Sequence, residues 1–224
     1  MDIVVFGATG MMGSRIAAEA ASRGHNVTAV SRSGRAPEGV AGQVTAAVGD
    51  ASDPGQVAEL VKGADVVASA LVPPRDGTDP LAPLVQLYTD FLSGVREGGA
   101  PRTVIVGGAG TLLVAPDTRL CDLPDFPAMY KPEALAHGAV LDALRADPTL
   151  PTWTYISPAP EVGPGERTGA FRLGVGDQIL PDASSISAED YAVAFVDELE
   201  SGAHPRQRLS VAQTAQTVQA APTA

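Results

Sequence analysis

The fold turns on residues 2–20, Asp2-Ile3-Val4-Val5-Phe6-Gly7-Ala8-Thr9-Gly10-Met11-Met12-Gly13-Ser14-Arg15-Ile16-Ala17-Ala18-Glu19-Ala20. A short apolar run leads into three glycines spaced three apart, and then into a helical pattern. The run at 3–6 is continuous, as expected of a strand covered on both faces. Ile16, Ala17 and Ala20 share one face of a helix. Between the two, Gly7, Gly10 and Gly13 meet the needs of a diphosphate: a tight turn, main-chain approach with no Cβ in the way, and open amide hydrogens at a helix end whose dipole favours anions. Thr9, Met11 and Met12 belong to the same cradle. The alternative is an ordinary tight crossover between strand and helix.

Five further apolar runs, at 27–30, 44–48, 66–70, 103–106 and 153–156, alternate with helical segments at 11–23, 54–62, 80–97, 132–146 and 188–200. Ser52-Asp53-Pro54 opens one helix, Gly24 follows another, and Pro132 sits at the start of a third. The pattern predicts an α/β fold with a Rossmann-type doubly wound parallel sheet, in a single domain with a small substrate-side elaboration near the carboxyl terminus. That domain covers 1–211. Residues 212–224 are uncharged, small and aperiodic, and read as a flexible tail. Connections at 111–130 and 157–177 read as long loops at strand carboxyl ends, where such proteins bind small molecules.

Composition narrows the partners. With 15 Lys and Arg against 26 Asp and Glu among 224 residues, the formal charge is −11 and no basic run interrupts it. Such a field repels nucleic acid and anionic membranes. One cysteine, Cys121, cannot form an intramolecular disulfide, and His25, His137 and His204 are too scattered for a metal site. There is no basic leader and no apolar stretch long enough to span a bilayer, so a cytoplasmic protein is expected.

The end of the second strand, Thr28-Ala29-Val30-Ser31-Arg32-Ser33, bears on cofactor choice. A carboxylate here would bind the ribose hydroxyls of NAD. Instead Arg32 offers a guanidinium fork, with hydroxyls at Ser31 and Ser33, suited to a 2′-phosphate, so NADP(H) is favoured over NAD(H). A solvated loop arginine is the other reading, since Arg35 makes the turn basic in any case. Asp50, followed by Ala51 after the third strand, either accepts from an adenine amine or caps the next helix.

Gly7-x-x-Gly10-x-x-Gly13, Val48-Gly49-Asp50, Ala64-Asp65-Val66-Val67, Val106-Gly107-Gly108-Ala109-Gly110 and Ser187-Ala188-Glu189-Asp190-Tyr191-Ala192 together resemble the atypical short-chain dehydrogenase/reductases of the NAD(P)H-binding, NmrA-like kind, including flavin-reductase-like and biliverdin reductase B-like members. The likeness runs from residue 1 to about 210. It implies that Ser69, Ala70 and Leu71 after the fourth strand, and Gly107 and Gly108 after the fifth, line the cofactor, with Ser157, Pro158 and Ala159 bordering the nicotinamide.

One departure bears on mechanism. Active dehydrogenases place a tyrosine four residues before a lysine, because the ammonium lowers the phenol pKa and grips the nicotinamide ribose. No Tyr-x-x-x-Lys occurs here. Tyr130 and Lys131 are adjacent, and on a helix they point about 100° apart. Both are candidates for catalysis, Lys131 also for cofactor contact, and the alternative makes them surface residues before a proline. Thr111 is a candidate to orient a carbonyl, and His137 faces either the site or solvent. The combination favours NADPH-dependent hydride transfer to a flavin, quinone or similar conjugated acceptor that draws its proton from water. Met11, Leu71, Phe126 and Met129 would wall the cleft, unless they serve core packing. The other readings are a noncatalytic NADP(H) sensor and an epimerase- or dehydratase-like isomerase. A monomer or homodimer meeting a small-molecule acceptor is expected.

Overall fold

A computed structural model describes residues 1–37, 40, 43–73 and 77–214. The chain order is β1 (Asp2–Phe6), α1 (Met11–Ser22), β2 (Asn26–Ser31), β3 (Val44–Val48), α2 (Pro54–Leu60), β4 (Val66–Ser69), α3 (Leu81–Glu97) and β5 (Arg102–Val106). It continues through β6 (Leu113–Ala115), β7 (Thr118–Arg119), α4 (Lys131–Ala146), β8 (Thr152–Ser157), β9 (Glu161–Gly163), β10 (Phe171–Val175), β11 (Ser185–Ser187), α5 (Ala188–Ser201) and β12 (Gln207–Gln213).

Eight strands form one sheet in the order β10-β12-β8-β5-β4-β1-β2-β3, parallel except where β10 runs against β12. The order reverses between β1 and β4, so the strand ends open a crevice there. Alternate side chains of each strand feed two cores. Ile3, Val5, Val66, Val104, Leu209 and Val211 pack toward α1 and α5. Val4, Phe6, Val67, Ile105, Trp153 and Tyr155 pack toward α2, α3 and α4. Burial on both faces is why β1, β4, β5 and β8 read as nearly unbroken apolar runs. The two faces are the doubly wound arrangement expected.

Local chemistry sets the helix ends. The Asp53 carboxylate accepts from the amides of Gly55 and Gln56 at 3.0 and 3.1 Å, with Pro54 in the first turn of α2. Ser187 Oγ accepts from the Asp190 amide at 3.0 Å at the start of α5, and Gly202 ends that helix in the left-handed region at φ 55°.

Three expectations change. The connections 111–130 and 157–177 are not all loop, because the first contains β6 and β7 and the second β9 and β10. The expected tail begins too early: β12 continues through Gln213, with Ala212 opposite Arg172 and Gln213 opposite Phe171, and residues 215–224 lie outside the described residues. β12 escapes a search for continuous apolar runs because it alternates, with Leu209 and Val211 facing one core while Arg208 and Ser210 face loops on the other side.

Candidate functional site

The turn after β1 is shaped by contacts that exclude side chains. Gly7 sits at φ 75°, and a Cβ there would stand 2.6 Å from the Ala70 carbonyl oxygen; on Gly13 it would stand 2.1 Å from the Gly7 carbonyl oxygen. The Gly10 amide donates to Gly7 O at 3.0 Å, and the Ser14 amide to Gly10 O at 2.9 Å. No side chain caps α1 and its first turn holds no acidic residue, so amide hydrogens and the helix dipole face the crevice without a protein carboxylate to satisfy them. Thr9 and Met11 are exposed at its mouth, whereas Met12 is half-buried against the α1 and α5 core.

At the end of β2, Ser31 is buried and its hydroxyl donates to the Arg35 carbonyl at 3.2 Å. That commitment fastens the 31–35 turn, leaving Arg32 and Ser33 exposed above it. Arg35 Nε donates to Ser33 Oγ at 3.4 Å. Asp50 does not cap α2, since Asp53 does so. Its Oδ1 accepts from the amide and hydroxyl of Ser52 at 2.9 and 2.7 Å. Those bonds hold the Asp50 carboxyl below the usual range, with Arg32 adding a smaller pull, so the two charges sit close enough to feel each other. Ala51 is buried in the core beside them.

The ends of β4, β5 and β8 form the other half of the crevice. Ser69 is fully buried and donates to the Tyr88 hydroxyl at 3.1 Å, which turns its oxygen toward α3 and away from the crevice. Ala70 is also buried, and Leu71 packs partly on the core beneath α3. Gly107 lies on the Tyr155 ring, where a Cβ would come within 2.1 Å of Cε1. The Gly108 amide donates to the Tyr155 hydroxyl at 3.1 Å, and that hydroxyl donates in turn to the His137 carbonyl at 3.0 Å. Full burial pushes the Tyr155 phenol up to about 12, so it keeps its proton at neutral pH. Ser157 Oγ donates to Gly108 O at 2.8 Å, and Pro158 and Ala159 are buried beyond it.

Sequence reasoning missed the residue that ties this half together. Arg208 is 3% exposed; its Nε donates to Ser157 Oγ at 3.0 Å, and Nη2 reaches Gly108 O at 3.1 Å and Thr111 Oγ1 at 3.2 Å. Nη1 donates to Thr111 O at 3.0 Å. The Thr111 hydroxyl is therefore held as an acceptor. His137 is buried against Gly108, a hypothetical Cβ of which would lie 3.1 Å from the histidine Cβ, so it faces the turn and not solvent. In the sequence Arg208 stands between Gln207 and Leu209, two positions from Arg206, and nothing local sets it apart from its neighbours.

Tyr130 and Lys131 sit at the start of α4. Tyr130 ends a 3-10 turn at the start of α4 and is 57% exposed. The Lys131 ammonium lies 3.7 Å from Asp122, which also takes two bonds from Arg119 at 2.7 and 3.1 Å. Phe126 approaches Gly110, while Met129 is 78% exposed.

The family model for NAD(P)H-binding proteins matches residues 7–201. The chain belongs to the NAD(P)H-binding family. This agrees with the resemblance to atypical, NmrA-like short-chain dehydrogenase/reductases. Similar solved structures include a provisionally named exported protein of Burkholderia pseudomallei, 47% identical over 95% of this chain and 99% of that one with a TM-score of 0.82. A provisionally named epimerase of Bacteroides thetaiotaomicron is 37% identical over 95% and 96% of the two chains, TM-score 0.82. A provisionally named NADH-flavin reductase of Streptococcus pneumoniae is 34% identical over 96% and 100%, TM-score 0.77.

The residues present fit an NAD(P)H-binding role. A Cβ at Gly7 or Gly13 would fill the cradle, and the uncapped start of α1 supplies amides for the diphosphate. Among the described residues, no group of three or more His, Cys, Asp or Glu could hold a metal ion, and no helix is long and apolar enough to cross a membrane.

The loop after β8 is bound to both helices of one face. Asp190 is fully buried and accepts from the Thr168 amide and hydroxyl at 2.7 and 2.5 Å and from the Gly169 amide at 2.7 Å. Glu189 takes the Gly165 amide at 2.7 Å and Arg15 at 2.6 Å. Glu19 takes two bonds from Arg167 at 2.7 and 2.8 Å. The helix that carries the cradle thus also anchors the loop bordering a cleft of about 540 Å³ lined by Glu161, Gly165, Thr168, Ser187 and Gln213.

Proposed function

We propose that this protein is an NADPH-dependent oxidoreductase that delivers hydride to a flavin, quinone or similar conjugated acceptor. The observation that carries the cofactor reading is the pair of glycines whose Cβ atoms the turn cannot admit, placed under an uncapped helix end. With the diphosphate there, the adenosine half lies toward β2 and β3, where exposed Arg32 meets the 2′-phosphate of NADP. The Streptococcus relative is named for NADH, so cofactor preference is the first quantity to measure.

Bound NADPH supplies a hydride, and the acceptor completes its reduction with one proton from water. The chain's own part is binding, orientation and exclusion of solvent. Gly107 and Gly108 keep the floor flat, Ser157 and Arg208 hold that floor to β8, and Pro158 and Ala159 close its far side. Met11, Val72, Leu81 and Met129 are 42%, 50%, 42% and 78% exposed, each in a segment that follows the carboxyl end of β1, β4 or β5. Exposed apolar residues in the segments that follow these strand ends suit a flat ring system better than a sugar or an amino acid.

The test is NADPH consumption, followed by absorbance, with flavin mononucleotide, flavin adenine dinucleotide and a soluble quinone. Acceptor-dependent turnover is expected; tight NADPH binding with no acceptor accelerating its loss overturns the reading. That outcome would favour a noncatalytic nucleotide sensor, a role consistent with Lys131 resting on Asp122 and Tyr130 facing solvent.

A further inference from the structure

We propose that Arg208 sets the redox preference of the nucleotide site, its buried positive charge making the site hold the neutral reduced nicotinamide more tightly than the cationic oxidised one. The inference rests on the reading just given. A dinucleotide with its diphosphate at α1 and its adenosine toward β2 and β3 carries its second ring to the other half of the crevice, at the ends of β4, β5 and β8. Arg208 lies beneath that half. Its side chain is 2% exposed, and its fork holds Gly108, Thr111 and Ser157 from behind at 3.0 to 3.2 Å. A guanidinium keeps its proton inside proteins, so this charge is permanent.

The surroundings do not cancel it. Apart from Asp177, the acceptors on the fork are neutral carbonyl and hydroxyl oxygens. Asp177 lies 3.4 Å from Nη1, is 37% exposed, and is shared with Arg145 at 2.7 and 2.9 Å. Two cations thus meet one anion. Asp142, on the same helix as Arg145, is exposed and screened by water. Oxidation gives the nicotinamide ring a positive charge that the reduced ring lacks. At a separation of about 10 Å and an effective dielectric of about 20 to 40, repulsion from Arg208 alone disfavours the oxidised form about fivefold to fifteenfold.

Calorimetry on the full chain gives dissociation constants for NADPH and NADP+ in wild type, R208K, R208M and D177N. The wild type is expected to favour NADPH. R208K, measured at pH 6 so that Asp177 and the excess of protons hold its buried ammonium charged, keeps the charge while losing part of the fork, and should keep the preference whatever its melting temperature does. R208M should lose about fivefold of it. D177N removes the compensating anion while leaving the Arg208 bonds to the turn in place, and should widen the preference about twofold, a result readable even if R208M does not fold. An unchanged ratio in D177N, or equal losses in R208K and R208M, overturns the inference. Failure of the wild type to bind either nucleotide overturns instead the reading on which it rests.

Discussion

Gly13 lies against the carbonyl of Gly7 so closely that a methyl group on it would stand 2.1 Å from the oxygen. The neighbour is backbone, and it cannot rotate away. Gly13→Ala should therefore destabilise the fold by about 2–3 kcal/mol and lower the melting temperature by about 5–10 °C. It should also abolish the thermal shift produced by NADPH, because the turn must open to admit the methyl. Differential scanning fluorimetry with and without nucleotide measures both.

Arg32 is exposed at the end of β2 and lies near Asp50. Arg32→Glu places a second carboxylate where the 2′-phosphate is expected. NADPH affinity should fall about tenfold to a hundredfold, and NADH affinity less than about threefold. Equal weakening of both nucleotides by calorimetry would remove Arg32 from cofactor selection.

Tyr130 is 57% exposed and Lys131 is drawn to Asp122. If the acceptor takes its proton from water, Tyr130→Phe changes kcat less than about threefold; general acid catalysis by the phenol would appear as a loss of about a hundredfold or more. Steady-state kinetics with the best acceptor decides between them.

The Asp190 carboxylate is buried and holds three groups of the 168–169 turn. Asp190→Ala leaves those donors without an acceptor and should cost about 3 kcal/mol, or about 6–12 °C in melting temperature. Hydrogen exchange at the Thr168 and Gly169 amides should accelerate ahead of exchange in β5 and β8. Uniform acceleration would show that the turn is not the element this carboxylate secures.

Glu19 links the cradle helix to the same loop. The Arg167 guanidinium holds its carboxyl below the ordinary 4.5, Arg23 adds to the effect, and burial opposes it. The folded value is below the unfolded one, so the pair's contribution is fully present above pH 4.5 and is lost as pH falls through the lowered value. The melting-temperature gap between wild type and Glu19→Gln should hold steady from pH 7 to about 5 and close in more acid solution. A gap that stayed constant down to pH 3 would separate stability from this carboxylate's charge.

Much of the molecule was readable as a string. The apolar runs at 3–6, 27–30, 44–48, 66–70, 103–106 and 153–156 correspond to the six parallel strands β1, β2, β3, β4, β5 and β8; burial on both faces keeps β1, β4, β5 and β8 mostly apolar, whereas β3, at the sheet edge, is largely exposed and is marked by its β-branched and small residues alone. The glycine spacing marked the cradle for a similar reason: a backbone that touches backbone admits no side chain, and that constraint is local. Asp53 and Pro54 announced a helix start through bonds spanning only three residues.

What the string could not disclose involves partners far apart along it. Arg208 meets Gly108 and Thr111 roughly a hundred positions away, and Asp190 reaches back 22 residues to Thr168. A buried charge is tolerated only where folding assembles its acceptors, and no local periodicity records that assembly. Tyr130 and Lys131 illustrate the converse. Adjacent in sequence and plausible as a pair, they part in the fold, with Tyr130 57% exposed and the Lys131 ammonium drawn to Asp122. Backbone constraints propagate through neighbours and leave a composition signature, whereas the meeting of distant side chains exists only once the sheet has brought its strand ends together.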